Sequence, residues 1–399
     1  EFDAVRCEPA FRATDYWLSN RTIPAEKCAN GNIRILRKDL TATVGNVMVF
    51  GAAARYNPGF TLADCRGVAI RDVNLYHCGG MGVISAAHPG YRDPDFYRDP
   101  LNVNRRCLKE EIAKAKEIAK GCGLVGVNVM GAVQHYADYV RAAIEGGADA
   151  IISGAGLPTE LPQIAGDSKV LLAPIVSSGR AARVICRAWE RHGNRLPDFV
   201  VVEGSRAGGH LGFSAEELAD GSAKPLDEIV SDVVETLRPY EEKCGRKIPV
   251  FPAGGVYDGA DIARLEKLGA AGAQIATRFI ATEECDAAPA YKQAMVDAKE
   301  EDVRIIKSPV GMPGRALFSP LIRKVAELGR IAPSRCLQCL RTCNPADTPY
   351  CITQALIDAA KGDWENGLFF CGANVGRIDR ITTVRELMDE LVTEWRNNR

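Results

Sequence analysis

From about residue 79 the chain repeats one unit: a short apolar run that stops at Gly, Ser or Asn, then an amphipathic stretch. The runs are Gly82–Ser85, Leu124–Met130, Ala150–Ser153, Val170–Val176, Phe199–Glu203, Val250–Ala253 and Ala273–Thr277. Most lack strict polar alternation, as strands buried on both faces of a parallel sheet do. Between them the spacing predicts helices. In Leu108–Lys120, Leu108, Ile112, Ala115 and Ala119 recur at three- and four-residue intervals, and Ala181–His192, Leu226–Tyr240 and Asp261–Leu268 repeat the pattern. Seven strands alternating with helices predict an α/β fold, a (β/α)8 TIM barrel with one strand still to place. A doubly wound open sheet is the second architecture.

The remaining strand belongs in residues 1–78, where Thr43–Phe50 and Val68–Leu75 are the candidates. That stretch is rich in Arg, Asn and Cys and has no helix period, so 1–78 is set apart as an atypical N-terminal segment. The barrel is placed at 79–281. From Thr282 the pattern turns helical over Ala288–Glu300, Leu317–Leu328, Ile352–Lys361 and Val384–Trp395, which predicts a small helical C-terminal domain over 282–399 with a cysteine cluster inside it.

Charge excludes some partners. Fifty Lys and Arg stand against 51 Asp and Glu, a net −1, so nothing global draws the chain to nucleic acid or an anionic membrane. No segment approaches the roughly 20 apolar residues of a spanning helix. Glu1–Asn20 mixes charges with aromatics and lacks the apolar core of a signal peptide. Fourteen cysteines in such a chain read as thiols or metal ligands of a reducing compartment, so the expected location is cytoplasmic. The expected partners are a small-molecule substrate and a second copy of the chain in a homodimer, with no nucleic acid and no membrane.

The chemistry concentrates at strand ends. Val200-Val-Val-Glu-Gly-Ser-Arg-Ala-Gly-Gly-His-Leu-Gly212 runs a strand into Glu203, then a loop holding Gly208, Gly209 and His210. Paired glycines let backbone N–H groups approach a phosphate without Cβ obstruction. Phe251-Pro-Ala-Gly-Gly-Val256 ends the next strand in Gly254 and Gly255, and Gln274-Ile-Ala-Thr-Arg-Phe279 ends the last in Gln274, Ile275, Ala276 and Thr277. Loops after the last two strands of such a barrel commonly form a phosphate site.

The motifs Ala207-Gly-Gly-His210, Ala253-Gly-Gly255, Gln274–Phe279 and Met312-Pro-Gly-Arg315 closely resemble the nitronate monooxygenase family, formerly called 2-nitropropane dioxygenases. Gly126-Val-Asn-Val-Met130, Ile152-Ser-Gly-Ala-Gly156 and Pro174-Ile-Val-Ser-Ser178 extend the likeness, in order, from about Gly79 to the C-terminus. The FMN-dependent enoyl-acyl carrier protein reductases share the fold and many of these motifs.

The resemblance implies an FMN-binding barrel. FMN contacts would fall on Asn128, Glu203, Gly208, Gly209, Gly254, Gly255, Gln274, Ile275, Ala276 and Thr277, and the catalytic base on His210. It also implies a choice of activities: oxidation of alkyl nitronates with O2, or NAD(P)H-dependent enoyl reduction. A non-catalytic flavin or Fe–S binding protein is a third expectation. The chain departs from the family in two places. Glu203 stands where relatives often carry Gln. The family's first strand, of the type Pro-Ile-Ile-Gln, and its Met-Gly turn have no counterpart before Gly79-Gly-Met-Gly-Val-Ile-Ser85, so residues 1–77 are a remodelled entrance or a stretch of different origin.

Cys336, Cys339, Cys343 and Cys351 form a C-x2-C-x3-C-x7-C run with Cys371 as a spare. Four thiolates at that spacing suit a [4Fe–4S] cluster, or less readily structural Zn. An analogous element follows the barrel in the 2,4-dienoyl-CoA reductase type of FMN enzyme. Four reduced thiols packing two helices is the plainer alternative. His77, His88, His135 and His192 have no neighbouring ligand pattern and are expected at the surface or in loops.

Overall fold

A computed structural model describes residues 81–121 and 123–399, together with five short strands in the first fifty residues. The chain divides into two compact units, Glu1–Val83 with Ile112–Gly126, and Ile84–Glu111 with Val127–Arg399. In the first, Phe2–Val5 pairs antiparallel with Thr22–Ile23 and with Val49–Phe50, and Ala25–Lys27 pairs antiparallel with Ile33–Ile35. Val68–Leu75 and most of Thr43–Phe50 lie outside the described residues; Val49–Phe50 belongs to this antiparallel sheet.

The apolar runs form a six-stranded sheet in the order Val250–Ala253, Val200–Glu203, Leu171–Val176, Ala150–Gly154, Leu124–Met130, Met81–Ser85. Val200 pairs in parallel with Val250, Val201 with Ile175, and Ala150 with Leu171. All five residues of Ala150–Gly154 are buried, as are Val200, Val201 and Val202. That burial explains the absence of alternation in the inner runs, because both faces of those strands are covered; the edge strand Met81–Ser85 exposes Gly82, Val83 and Ser85.

The intervening helices are delimited by local chemistry. Gly179–Gly193 begins where the Ser178 hydroxyl accepts the Ala181 N–H and ends at Asn194 in the left-handed conformation. It buries Ile185, Cys186 and Trp189, and the Trp189 indole donates to the Pro158 carbonyl at 2.8 Å. Leu226–Cys244 buries Ile229, Val230, Val233 and Leu237 and stops at Gly245, φ 68°. The two helices meet at Gly179, whose N–H donates to Asp232; a Cβ there would lie 2.5 Å from the Asp232 and Thr236 oxygens. Helices Tyr136–Glu145 and Leu161–Ala165 complete the alternation, and the spacing analysis had not predicted either.

Two expectations need correction. Ala273–Thr277 is not a regular strand: the chain runs beside Val250–Ala253, with Ala271 N–H on the Val250 carbonyl and Gln274 N–H on that of Pro252, yet only Gln274 bridges, to Ala253. Thr277 then opens the short helix Thr277–Ile280. The described residues therefore hold six strands of a barrel-type parallel sheet, not eight. Nor is the region after Thr282 purely helical. Val303–Lys307 and Pro313–Leu317 form an antiparallel hairpin, and the helix expected from Leu317 begins at Pro320. Pro313 and Gly314 hid the second strand, since neither residue favours extended ladders. Helices Pro289–Asp297, Ile352–Ala360 and Val384–Asn398 match the predicted ones. No described helix is long and apolar enough to cross a membrane.

Candidate functional site

The loop after Val200–Glu203 turns at once. Gly204 N–H bonds the Ala253 carbonyl at 2.8 Å, and a Cβ at Gly204 would lie 2.7 Å from the Gly254 carbonyl oxygen. Two carbonyls of the loop, Ser205 and Ala207, accept Nη1 of Arg315 at 2.7 and 2.6 Å. Arg315 is the last residue of the Met312-Pro-Gly-Arg315 motif, so the hairpin holds the loop open through one guanidinium. Its second strand also pairs with the loop itself, Gly209 opposite Arg315 and His210 opposite Gly314.

This pairing fixes His210. Its Nε2 lies 2.8 Å from the Ser308 hydroxyl, and its ring meets the Phe370 ring edge-on at 5.1 Å. Burial disfavours the imidazolium and pushes its pKa down to about 4, so the ring is neutral at physiological pH. Two residues on, Gly212 N–H donates to Glu203 Oε2 at 2.6 Å, and the Ser177 hydroxyl donates to the Gly212 carbonyl at 3.0 Å. Burial acts on Glu203 in the opposite sense and raises its carboxyl to about 7, against the partial relief of the Gly212 N–H and the Arg315 charge.

On the facing side Gly254 and Gly255 both take left-handed φ, 82° and 104°, leaving a wall of bare backbone. The segment Cys371–Asn374, of which sequence analysis singled out only Cys371, as a spare metal ligand, closes over this wall. Ala373 N–H bonds the Arg206 carbonyl at 3.0 Å and Gly372 N–H the Thr277 hydroxyl at 2.9 Å. The Asn374 amide donates to the Gly255 carbonyl at 3.0 Å and accepts from Arg206 at 2.7 Å. Asn374 carries no charge or motif, so only the fold shows its part.

These elements line a cleft that is partly open to solvent. Glu203, Gly208, Gly254, Gly255, Gln274, Ile275, Ala276 and Thr277 all line it, with Arg206, Tyr257, Arg278, Asn374 and Ile378. Arg278 is engaged by Glu390 at 2.8 Å, whereas the Arg206 guanidinium bonds the neutral Asn374. A cleft with a bare-backbone wall, an Arg that meets no carboxylate among the described residues and a desolvated carboxyl fits a phosphate-bearing planar cofactor such as FMN. Gly209 and His210 adjoin the lining residues in sequence without belonging to the cavity wall. Asn128 does not line it either; its carbonyl accepts the Ala86 N–H at the end of Leu124–Met130.

Elsewhere His88 lies in a loop, as expected, but not as a free surface residue. It is half-buried, its pKa lowered by desolvation to about 4, with Nε2 2.8 Å from the Thr353 hydroxyl. Thr353 donates in turn to Cys339 Sγ at 3.0 Å. His135 and His192 are exposed as expected, and His77 lies outside the described residues. The thiols of the cysteine run lie near enough to act on one another electrostatically, yet among the described residues no three His, Cys, Asp or Glu side chains stand where they could share a metal ion. Cys336 is exposed, while burial raises the Cys339 thiol to about 11 and the Cys351 thiol above its ordinary value.

Comparisons with known proteins agree with this geometry. Rv1533 of Mycobacterium tuberculosis is 26% identical over 238 residues, 60% of this chain and 56% of that protein. A Staphylococcus saprophyticus relative is 33% identical over 130 residues, 33% of this chain and 34% of its own length. The chain thus spans about half of one curated relative and a third of the other. Among solved structures, FabK from Thermotoga maritima is 27% identical with a TM-score of 0.57, covering 72% of this chain and 82% of that one. Nitroalkane oxidase from Streptomyces ansochromogenes shares the fold at 20% identity and a TM-score of 0.58, over 81% and 90% of the two chains. The family model for nitronate monooxygenase matches residues 77–394, which hold the glycine loops, His210, the Arg315 hairpin and the closing segment; the chain belongs to the nitronate monooxygenase family.

Proposed function

We propose that this chain is an FMN-dependent oxidoreductase that oxidises alkyl nitronates, and the nitroalkanes that yield them, with O2. What carries the proposal is the meeting of Glu203, Gly208, Gly254, Gly255 and Gln274–Thr277 on one cavity, while the loop that follows Glu203 and holds Gly208 continues into a desolvated neutral imidazole. The Gly254 and Gly255 N–H groups and the Arg206 guanidinium are assigned to the phosphate of FMN, and Glu203 and Gln274 to its ring. FMN, when bound, supplies the electron transfer between substrate and O2.

The chain's own residues place the substrate and move a proton. Neutral His210 accepts the proton from the carbon bearing the nitro group. The C–H electron pair moves onto the nitro group, so the products of this step are a nitronate and an imidazolium. Ser308 sets the tautomer: a hydroxyl that accepts at Nε2 leaves Nδ1 as the base, and one that donates leaves the proton on Nδ1. The decisive experiment is O2 uptake with propionate 3-nitronate or a nitroalkane. Nitroalkane turnover is expected to vanish in His210→Ala, and its persistence overturns the role of His210.

The second activity, NAD(P)H-dependent enoyl reduction, is favoured by the likeness to FabK. A Rhodococcus jostii relative, 24% identical over 256 residues, also bears the name of a carboxyl-CoA dehydrogenase. NAD(P)H consumption that depends on an enoyl thioester selects this activity, and flavin retention without either turnover selects a non-catalytic binding protein. A [4Fe–4S] cluster on Cys336, Cys339, Cys343 and Cys351 rests on spacing alone. A cytoplasmic location, supported by the free thiols of the nine described cysteines, and a homodimer acting on a small molecule complete the proposal.

A further inference from the structure

Glu203 ends its strand, paired with Ala253 of the next one, and lines the cavity together with Ile175. Its Oε2 accepts one hydrogen bond, from Gly212 N–H. Among the described residues no cation forms an ion pair or hydrogen bond with it. Arg315, the charge that acts on it from the hairpin, directs Nη1 to the carbonyls of Ser205 and Ala207. Ser177, at the end of the adjacent strand, holds the Gly212 carbonyl; in the same loop His210 is bound to Ser308 and Arg206 to Asn374. Cys371 faces Arg315, and its thiol is held protonated by burial. A carboxyl in this setting has two states of similar free energy, one neutral and one ionised.

We propose that Glu203 is a positioning residue that couples the electron affinity of the bound flavin to pH, its carboxyl taking up a proton when the ring is reduced. The proposal rests on the flavin assignment above. An oxidised flavin ring is neutral, and the two-electron reduced ring carries negative charge near neutral pH. An ionised carboxylate on the cavity wall opposes that charge, so reduction draws a proton onto Glu203: two electrons then arrive with two protons, one on the ring and one on the carboxyl. Because burial already places this carboxyl near 7, the coupling falls at and just above neutral pH. Lower pH therefore favours reduction more strongly than the ring proton alone would.

The test is the midpoint potential of the FMN-loaded protein against pH from 6 to 9, in wild type and Glu203→Gln. The amide still offers an oxygen to Gly212 N–H but cannot titrate. The wild type is expected to take up one proton more than the variant per two electrons in this window. Its potential then falls with pH more steeply by a tenfold change in equilibrium constant per unit, about 30 mV for a two-electron couple. The two curves converge at the acid end, where Glu203 is neutral. A wild-type slope of one proton per two electrons across the window, or parallel slopes in the two proteins, overturns the proposal. A purely structural role would weaken FMN binding by one factor at every pH and leave the slopes parallel. Glu203→Asp, which keeps a titrating group, is expected to keep the steep slope. A wild type that takes up no FMN overturns the flavin assignment itself, a different result from flavin bound with an ordinary slope.

Discussion

Gly208 and Cys371 pack backbone to backbone, so closely that a Cβ on Gly208 would lie 2.4 Å from the Cys371 carbonyl carbon. Neither partner can yield, since Cys371 is buried and Gly208 belongs to a loop pinned by Arg315. Gly208→Ala is therefore expected to lower stability by about 1–3 kcal/mol, the usual range for forced overpacking. It should also weaken FMN binding. Thermal unfolding and flavin titration check both, and an unchanged midpoint would show that the two segments separate easily.

Asn374→Ala removes the bridge between Gly255 and Arg206 while leaving the packed sheet intact. FMN affinity is expected to fall by about 5- to 30-fold, roughly 1–2 kcal/mol for two hydrogen bonds, one of them to a charged group. Fluorescence titration reads it. The unfolding midpoint should move little.

Acid should destabilise the fold through two buried imidazoles. His88 and His210 have folded-state pKa values near 4, below the unfolded value of 6.5, so each contributes stability that is lost as pH falls through 6.5 toward 4. For His88 the loss has a visible cause, because Nδ1 is buried without a hydrogen-bond partner and an added proton there finds no acceptor. Glu203 acts in the opposite sense, its raised pKa adding stability that fades as pH rises toward 7. Two groups against one leave a net loss on acidification, on the order of 1–2 kcal/mol between pH 6.5 and 5. Denaturant midpoints at the two pH values measure it, and His88→Asn is expected to flatten the dependence.

The same shift shapes turnover. A base that protonates only near pH 4 keeps nitroalkane kcat/KM from falling with His210 between pH 8 and 5, and the acid limb belongs below that range. An acid limb centred near 6.5 would mean that His210 is solvated in the working enzyme.

Metal analysis addresses the cysteine run. With no three of its described thiols placed to share an ion, the purified protein is expected to carry iron and zinc well below one equivalent. Stoichiometric iron with visible absorption beyond the flavin bands would restore the four-thiolate site.

The sheet was legible because parallel strands buried on both faces leave unbroken apolar runs, and six of the seven predicted ones are strands. Ala273–Thr277 misled because an Ala, Ile and Thr run has strand composition, while Gly269 and Gly272, both at positive φ, steer it past its partner. The hairpin at Val303–Leu317 was hidden by Pro313 and Gly314, although Met312-Pro-Gly-Arg315 was recognised as a motif. Of the site, the glycines and His210 announced themselves by type. Asn374 and Ser308 did not, since a neutral polar residue becomes functional only through what the fold places beside it.

The wall that Cys371–Asn374 lays across the glycine loops lies some hundred residues beyond the strand it covers. A growing polypeptide can therefore complete the parallel sheet and both loops while the cavity still stands open on one side. The binding cleft is among the last features to come into being, and binding competence is a property of the finished tail rather than of the strands that carry the motifs.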